Sequence, residues 1–167
     1  ISTAEPTVFT NCTIANNLGT INRSGGTIIV ELGFPEFRNC ILWGNRRVDT
    51  NPRPPDNGFF EQIYELGGTA TVTNSDVQGG WPGTGNIDSD PLFATPDPGV
   101  YYLIPTGSPC KNSGSNVFLP PDLWDLDWDG NTTELIPQDL RKAARIKLTT
   151  VDMGACEAFG SGGGGGE

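Results

Sequence analysis

The feature that most constrains the fold is a segment that returns along the chain. It reads NCTIANN at residues 11–17, NCILWGN at 39–45 and NSDVQGG at 74–80. Each copy opens on Asn, continues with a small residue, moves by alternation to an apolar one and closes on Asn or Gly. The copies begin at Asn11, Asn39 and Asn74, spacings of 28 and then 35 residues. The stretches that lead into them, PTVFTNCTI, PEFRNCIL and TATVTNSDV, alternate over short windows, which predicts strands with one buried face. A strand that recurs once per repeat cannot bury its inner face alone, so successive repeats must stack. This periodicity predicts a parallel β-helix. Cys12 and Ile14 should lie over Cys40 and Leu42, and those over Ser75 and Val77. Asn11, Asn39 and Asn74 then fall on a recurrent bend, where Asn tolerates left-handed backbone angles and its amide can bond the adjacent layer.

Composition agrees and removes several functional classes. The 167 residues include 23 Gly and 14 Pro, a mix that favours short strands and turns over helix bundles. A net charge of −10 without a basic stripe speaks against a nucleic-acid partner. The absence of His removes His-based acid–base catalysis and most zinc and copper sites. No apolar run approaches the length of a membrane span. The opening ISTAEPTVFTNC has neither the basic nor the apolar region of a signal peptide, and GSGGGGGE at the end reads as a flexible linker. Both ends are therefore expected to be cut from something longer.

The segments NCTIANN, NCILWGN, TVTNSDVQGGWPGTGNIDSDPLF, GSPCKNSG and VDMGACE, in this order, resemble the C-terminal end of bacterial right-handed parallel β-helix repeat proteins. These are large secreted or surface proteins of planctomycete-type bacteria, and the resemblance runs from about Asn11 to Phe159. It implies an all-β fold, right-handed parallel β-helix coils with a looped C-terminal capping segment, and an extracellular or cell-surface setting. The expected organisation is helix coils over residues 1–100, a capping segment over 101–159 that protects the coil edge, and the Gly-rich linker over 160–167. Two departures stand out. DLRKAARI at 139–146 replaces a Gly-Asn turn, which suggests a short helical turn, and Cys156 stands where the family has tyrosine.

The sharpest local motif is DLWDLDWDGNTTE at 122–134. Asp125, Asp127 and Asp129 at alternate positions, followed by Gly130 and Asn131, approximate a D-x-D-x-D-G calcium loop. The residue at loop position 12 is Ile136, so a complete EF-hand is excluded, and Glu134 would have to supply the late carboxylate. The competing reading is a solvated acidic turn with Leu126 and Trp128 packed inward. A bound calcium would be structural, pinning the excursion before the final strand. Cys12 and Cys40 should be stacked thiols, whereas Cys110 and Cys156 could form a disulfide staple within the terminal segment.

The reading that follows is a non-enzymatic structural or adhesive surface protein. Its uncapped N-terminal coil would meet upstream coils, another copy or a different surface protein. The rival reading is the end of a polysaccharide-active lyase or hydrolase, with Asp76, Asp88 and Asp90 as acid–base candidates and Arg46 and Arg47 nearby. A third is a carbohydrate-binding module using Trp43 and Trp81, which would have to be exposed and nearly coplanar.

Overall fold

The computed structural model describes residues 5–19, 28–47, 62–94, 102–103 and 107–158. The Gly-rich end and residues 48–61 lie outside these residues. The chain is all-β, and among the described residues the only helical piece is one 3-10 turn at Asn116–Phe118. The first repeat supplies β1 (Val8–Thr10), β2 (Thr13–Ala15), β3 (Leu18–Gly19) and β4 (Ile28–Val30). The second supplies β5 (Glu36–Arg38), β6 (Ile41–Trp43), β7 (Arg46–Arg47) and β8 (Ile63–Glu65). The third supplies β9 (Thr71–Thr73) and β10 (Asp76–Val77), and a small antiparallel pair follows, β11 (Phe93–Ala94) with β12 (Tyr102–Leu103).

Equivalent strands of successive repeats pair in parallel: β1 with β5 with β9, β2 with β6 with β10, β3 with β7, and β4 with β8. The first-to-second register is 28 residues at β3–β7 but 35 at β4–β8. The change of repeat length therefore enters between β7 and β8, and the register is otherwise undisturbed.

The corners are made by asparagine. Asn11, Asn39 and Asn74 sit at φ 51°, 53° and 49°, the left-handed region that Asn tolerates better than most residues. The Asn39 amide donates to Asn11 Oδ1 at 3.3 Å, which links adjacent layers. A second corner carries Asn16 at φ 52° under Gly44 at φ 69°. A Cβ on Gly44 would fall 2.1 Å from Asn16 Oδ1, so that close approach requires glycine.

Alternation sends residues of β2, β6 and β10 to opposite faces. On the inner face Ile14, Leu42 and Val77 are in register, beside Phe37, Cys40, Val72, Val30 and Ile63 in the larger core. Phe9 stacks on Phe37 with ring centroids 4.9 Å apart. On the outer face Thr13, Ile41 and Asp76 are in register. That column is covered by the C-terminal segment. Ala155 N–H donates to Thr13 Oγ1 (3.0 Å), Met153 and Cys110 pack on Ile41, and Cys110 Sγ donates to Asp76 Oδ2 (3.1 Å). Asn11 Nδ2 donates to the Asp152 carbonyl, joining residues 141 apart in sequence.

Three expectations are corrected here. Among the described residues the terminal segment does not sit over the open edge of the last repeat but lies along the outward face of β2, β6 and β10. Edge covering falls to the bend after β10: Asn74 N–H donates to the Thr84 carbonyl, Ile87 bridges Asp76 in parallel, and Trp81 packs on the inner core. No staple joins Cys110 and Cys156, since all four cysteines are free thiols. Cys110 is committed to Asp76, while Cys156 lies beside Asp139, Arg141 and Arg145. DLRKAARI forms an antiparallel reversal, not a helical turn: Gln138 bridges Ala144, Lys142 adopts φ 61°, and Asp139 Oδ1 accepts from the N–H groups of Arg141 and Ala143.

Candidate metal centre

The acidic loop is closed at its neck by antiparallel pairing. Pro121 bridges Leu135, Asp122 N–H donates to the Glu134 carbonyl (2.8 Å) and Ile136 N–H to the Pro120 carbonyl (2.9 Å). The neck places the side chains of Asp122 and Glu134 together although twelve positions separate them. Within the loop the chain folds on its own carboxylates. Asp122 Oδ2 accepts from Leu126 N–H (2.8 Å), Asp125 Oδ1 from Gly130 N–H (3.1 Å) and Asp129 Oδ1 from Asn131 N–H (2.7 Å). Asp125 and Trp128 take φ 51° and 64°, and so tight a path is strained for a bulky residue such as Trp.

Two groups of carboxylates result, each with ligand atoms within 4.8 Å of one another: Asp122, Asp127 and Glu134 at the neck, and Asp125, Asp127 and Asp129 toward the tip. Asp127 belongs to both. Of the residues the sequence motif nominated, Asp125, Asp127 and Asp129 are brought together. Glu134 joins Asp127 through Asp122 instead. The Asn131 Oδ1 accepts from Thr133 N–H and Oγ1, a turn-forming role, and its amide donates to Glu134 Oε2 (3.5 Å). Asp122 was missed because the alternating motif begins at Asp125. Only the neck pairing reveals it, and its signal in sequence is faint: an Asp and a Glu flanking a turn-rich acidic run.

The neck group is the more buried. Asp122 is 2% exposed, and Asp122 Oδ1, Asp127 Oδ1 and Glu134 Oε1 are buried atoms that accept no hydrogen bond among the described residues. Loss of solvation raises the Glu134 carboxyl above its ordinary value, and the charges of Asp129, Asp127, Asp122 and Asp125 push it the same way. The donor set is all oxygen, which suits hard cations such as Ca²⁺ or Mg²⁺ and not soft metals.

Leu126 and Trp128 do not pack inward. Trp124 and Trp128 are 86% and 90% exposed, the two aromatic tips of the loop. The tryptophans singled out from the sequence are less available. Trp43 is half-buried on the outer cluster with Ile41, Cys110 and Met153, and Trp81 is half-buried on the inner one, so they pack on different cores.

The acid–base candidates are held in structural contacts. Asp76 is buried, accepts from Cys110 Sγ and from Ser89 N–H (3.2 Å), and has its carboxyl pushed up to about 6 by burial, with the charges of Asp88 and Asp90 adding to the effect. Asp88 Oδ1 accepts from Gly79 N–H and Asp90 Oδ1 from Leu92 N–H, both turn contacts. Arg46 is exposed on β7, and the Arg47 side chain lies outside the described residues.

Set against known proteins, the chain matches no protein-family model, no curated protein and no solved structure.

Proposed function

We propose that this chain forms terminal coils of a right-handed parallel β-helix in an extracellular surface protein with a structural or adhesive role. The observation that carries this reading is the directionality of the open edge. Among the described residues β1, β2, β3 and β4 each pair with one strand only, always the equivalent strand of the second repeat. At the opposite end the bend after β10 covers the edges of β9 and β10. Thr7 and Asn11 bond toward β5, so by alternation the N–H and C=O groups of Val8 and Thr10 face away from it. Such an edge is a template for another parallel layer, whether upstream coils, a second copy or another surface protein. Calcium in the acidic loop is a structural ion in this reading. The resemblance of the repeats to secreted β-helix proteins supports the setting.

Sedimentation velocity over a wide concentration range tests the edge. Reversible association is expected, and Val8→Pro, which removes an outward N–H without touching the β5 pairing, should weaken it at least about tenfold. A wild type that stays monomeric throughout removes a second copy as the occupant of this edge, and association that Val8→Pro leaves unchanged removes the edge as the contact.

A further inference from the structure

We propose that a calcium ion is held at the neck of the acidic loop by Asp122, Asp127 and Glu134, and that it locks the neck rather than filling the Asp125–Asp127–Asp129 row. This deepens the structural-ion part of the proposed function and rests on it.

The decisive difference between the two groups is the burial of the oxygens left without a partner. In the tip row Asp125 Oδ1 and Asp129 Oδ1 accept backbone N–H bonds that the loop itself supplies. At the neck one oxygen from each of Asp122, Asp127 and Glu134 is buried and accepts nothing among the described residues. Asp122 is the strongest indicator, because it is 2% exposed, its Oδ2 is held by Leu126 N–H, its Oδ1 is buried without a partner, and its carboxylate lies within 4.8 Å of those of Asp127 and Glu134. Buried polar atoms in folded proteins nearly always have partners, and converging carboxylate oxygens repel one another unless a proton or a cation lies between them. A proton satisfies two oxygens; a cation satisfies all three. Calcium accepts six to eight oxygens in irregular geometry, so carboxylates and solvent can complete its shell, whereas magnesium requires a near-ideal octahedron and gives up water reluctantly.

The ligands also fall where an ion has mechanical effect. Asp122 and Glu134 come from the two arms of the neck, beside the Pro121–Leu135 bridge, and Asp127 comes from the excursion between them. Binding therefore ties three separate points of one loop, whereas the tip row ties residues already adjacent in the chain.

Terbium luminescence offers a direct test, because Trp124 and Trp128 belong to the same loop and can sensitise a bound Tb³⁺ ion. The intact protein should bind Tb³⁺, release it to Ca²⁺ more readily than to Mg²⁺, and show a higher thermal midpoint in Ca²⁺ than in chelator. Asp122→Asn should weaken Tb³⁺ binding by at least about tenfold and Asp129→Asn by less than about threefold, because affinity follows the charged ligands of the occupied site. Glu134→Gln, at a less buried position, should repeat the Asp122→Asn result and guards against a folding defect in the latter. Circular dichroism in chelator confirms that each variant is folded. If Asp129→Asn weakens binding as much as Asp122→Asn or more, the neck assignment falls while the structural ion stands. If the wild type binds no Tb³⁺ and its midpoint ignores Ca²⁺, both fall together.

Discussion

Asn39 combines a backbone angle with a set of side-chain bonds that no other residue supplies. At φ 53° it turns the corner between β5 and β6. Its amide donates to the Ser115 carbonyl (2.9 Å) and to Asn11 Oδ1, and its oxygen accepts from Ser115 N–H (2.8 Å). Gly restores the angle and not the bonds; Ala restores neither. Asn39→Ala should therefore cost about 2–4 kcal/mol, and Asn39→Gly about 1 kcal/mol less, measured by urea unfolding. Equal losses would mean that the left-handed angle carries no strain. The corner was legible in the sequence, because Asn recurs at fixed repeat positions and few other residues suit such an angle. The bond to Ser115 was not, since it joins residues 76 apart. The same division holds in the acidic loop. Asp125, Asp127 and Asp129 announce themselves by spacing, while Asp122 enters only through pairing across the neck.

At the scale of elements, the outward face of β6 explains what the repeat alone does not. NCILWGN is apolar at consecutive positions, the signature of a strand buried on both faces. Leu42 faces the inner core and Ile41 the outer cluster, where a Cβ on Gly154 would come 2.7 Å from Ile41 Cδ1. The double burial could thus be read from the sequence, but not the identity of the covering element. That element brings buried charge with it. Glu157 accepts from Asp152 N–H and lies 3.7 Å from Arg145 Nε, with Asp152 and Asp139 also close. Burial lifts the Glu157 carboxyl to about 8 from an ordinary 4.5, reinforced by the charge of Asp152 and opposed by Arg145. The folded state then holds a proton that the unfolded chain releases. Glu157's contribution to stability is complete below pH 4.5 and is lost as pH rises through about 8. Asp76, raised to about 6 from 3.8, acts with the same sign at lower pH. The thermal midpoint should fall between pH 6 and pH 8 by roughly 5 °C, and Glu157→Gln should remove most of that fall. A midpoint that rises over this range, or an unchanged slope in the variant, contradicts the raised carboxyl.

For the whole molecule, the question is whether stacked strands and terminal segment unfold together. The contacts between them are long-range: Asn11 to Asp152, Thr13 to Ala155, Asn39 to Ser115, and Gly154 N–H to the Asn39 carbonyl at 2.8 Å. The two hydrophobic clusters lie on opposite faces of one sheet and share β6 as their common wall. Neither side can separate without exposing Ile41 or leaving the Thr13–Ile41–Asp76 column unsatisfied. Repeats of a solenoid can unfold piecemeal because each touches only its neighbours. Here one segment crosses the first, second and third repeats and should suppress that freedom. Met153, fully buried in the outer cluster, reports on the coupling. Met153→Ala should cost about 2–5 kcal/mol and lower a single transition seen alike by far-ultraviolet circular dichroism and by tryptophan fluorescence. Two separated transitions, with only the later one insensitive to Met153→Ala, would show that the segment is a detachable cover and that the stacked strands stand without it.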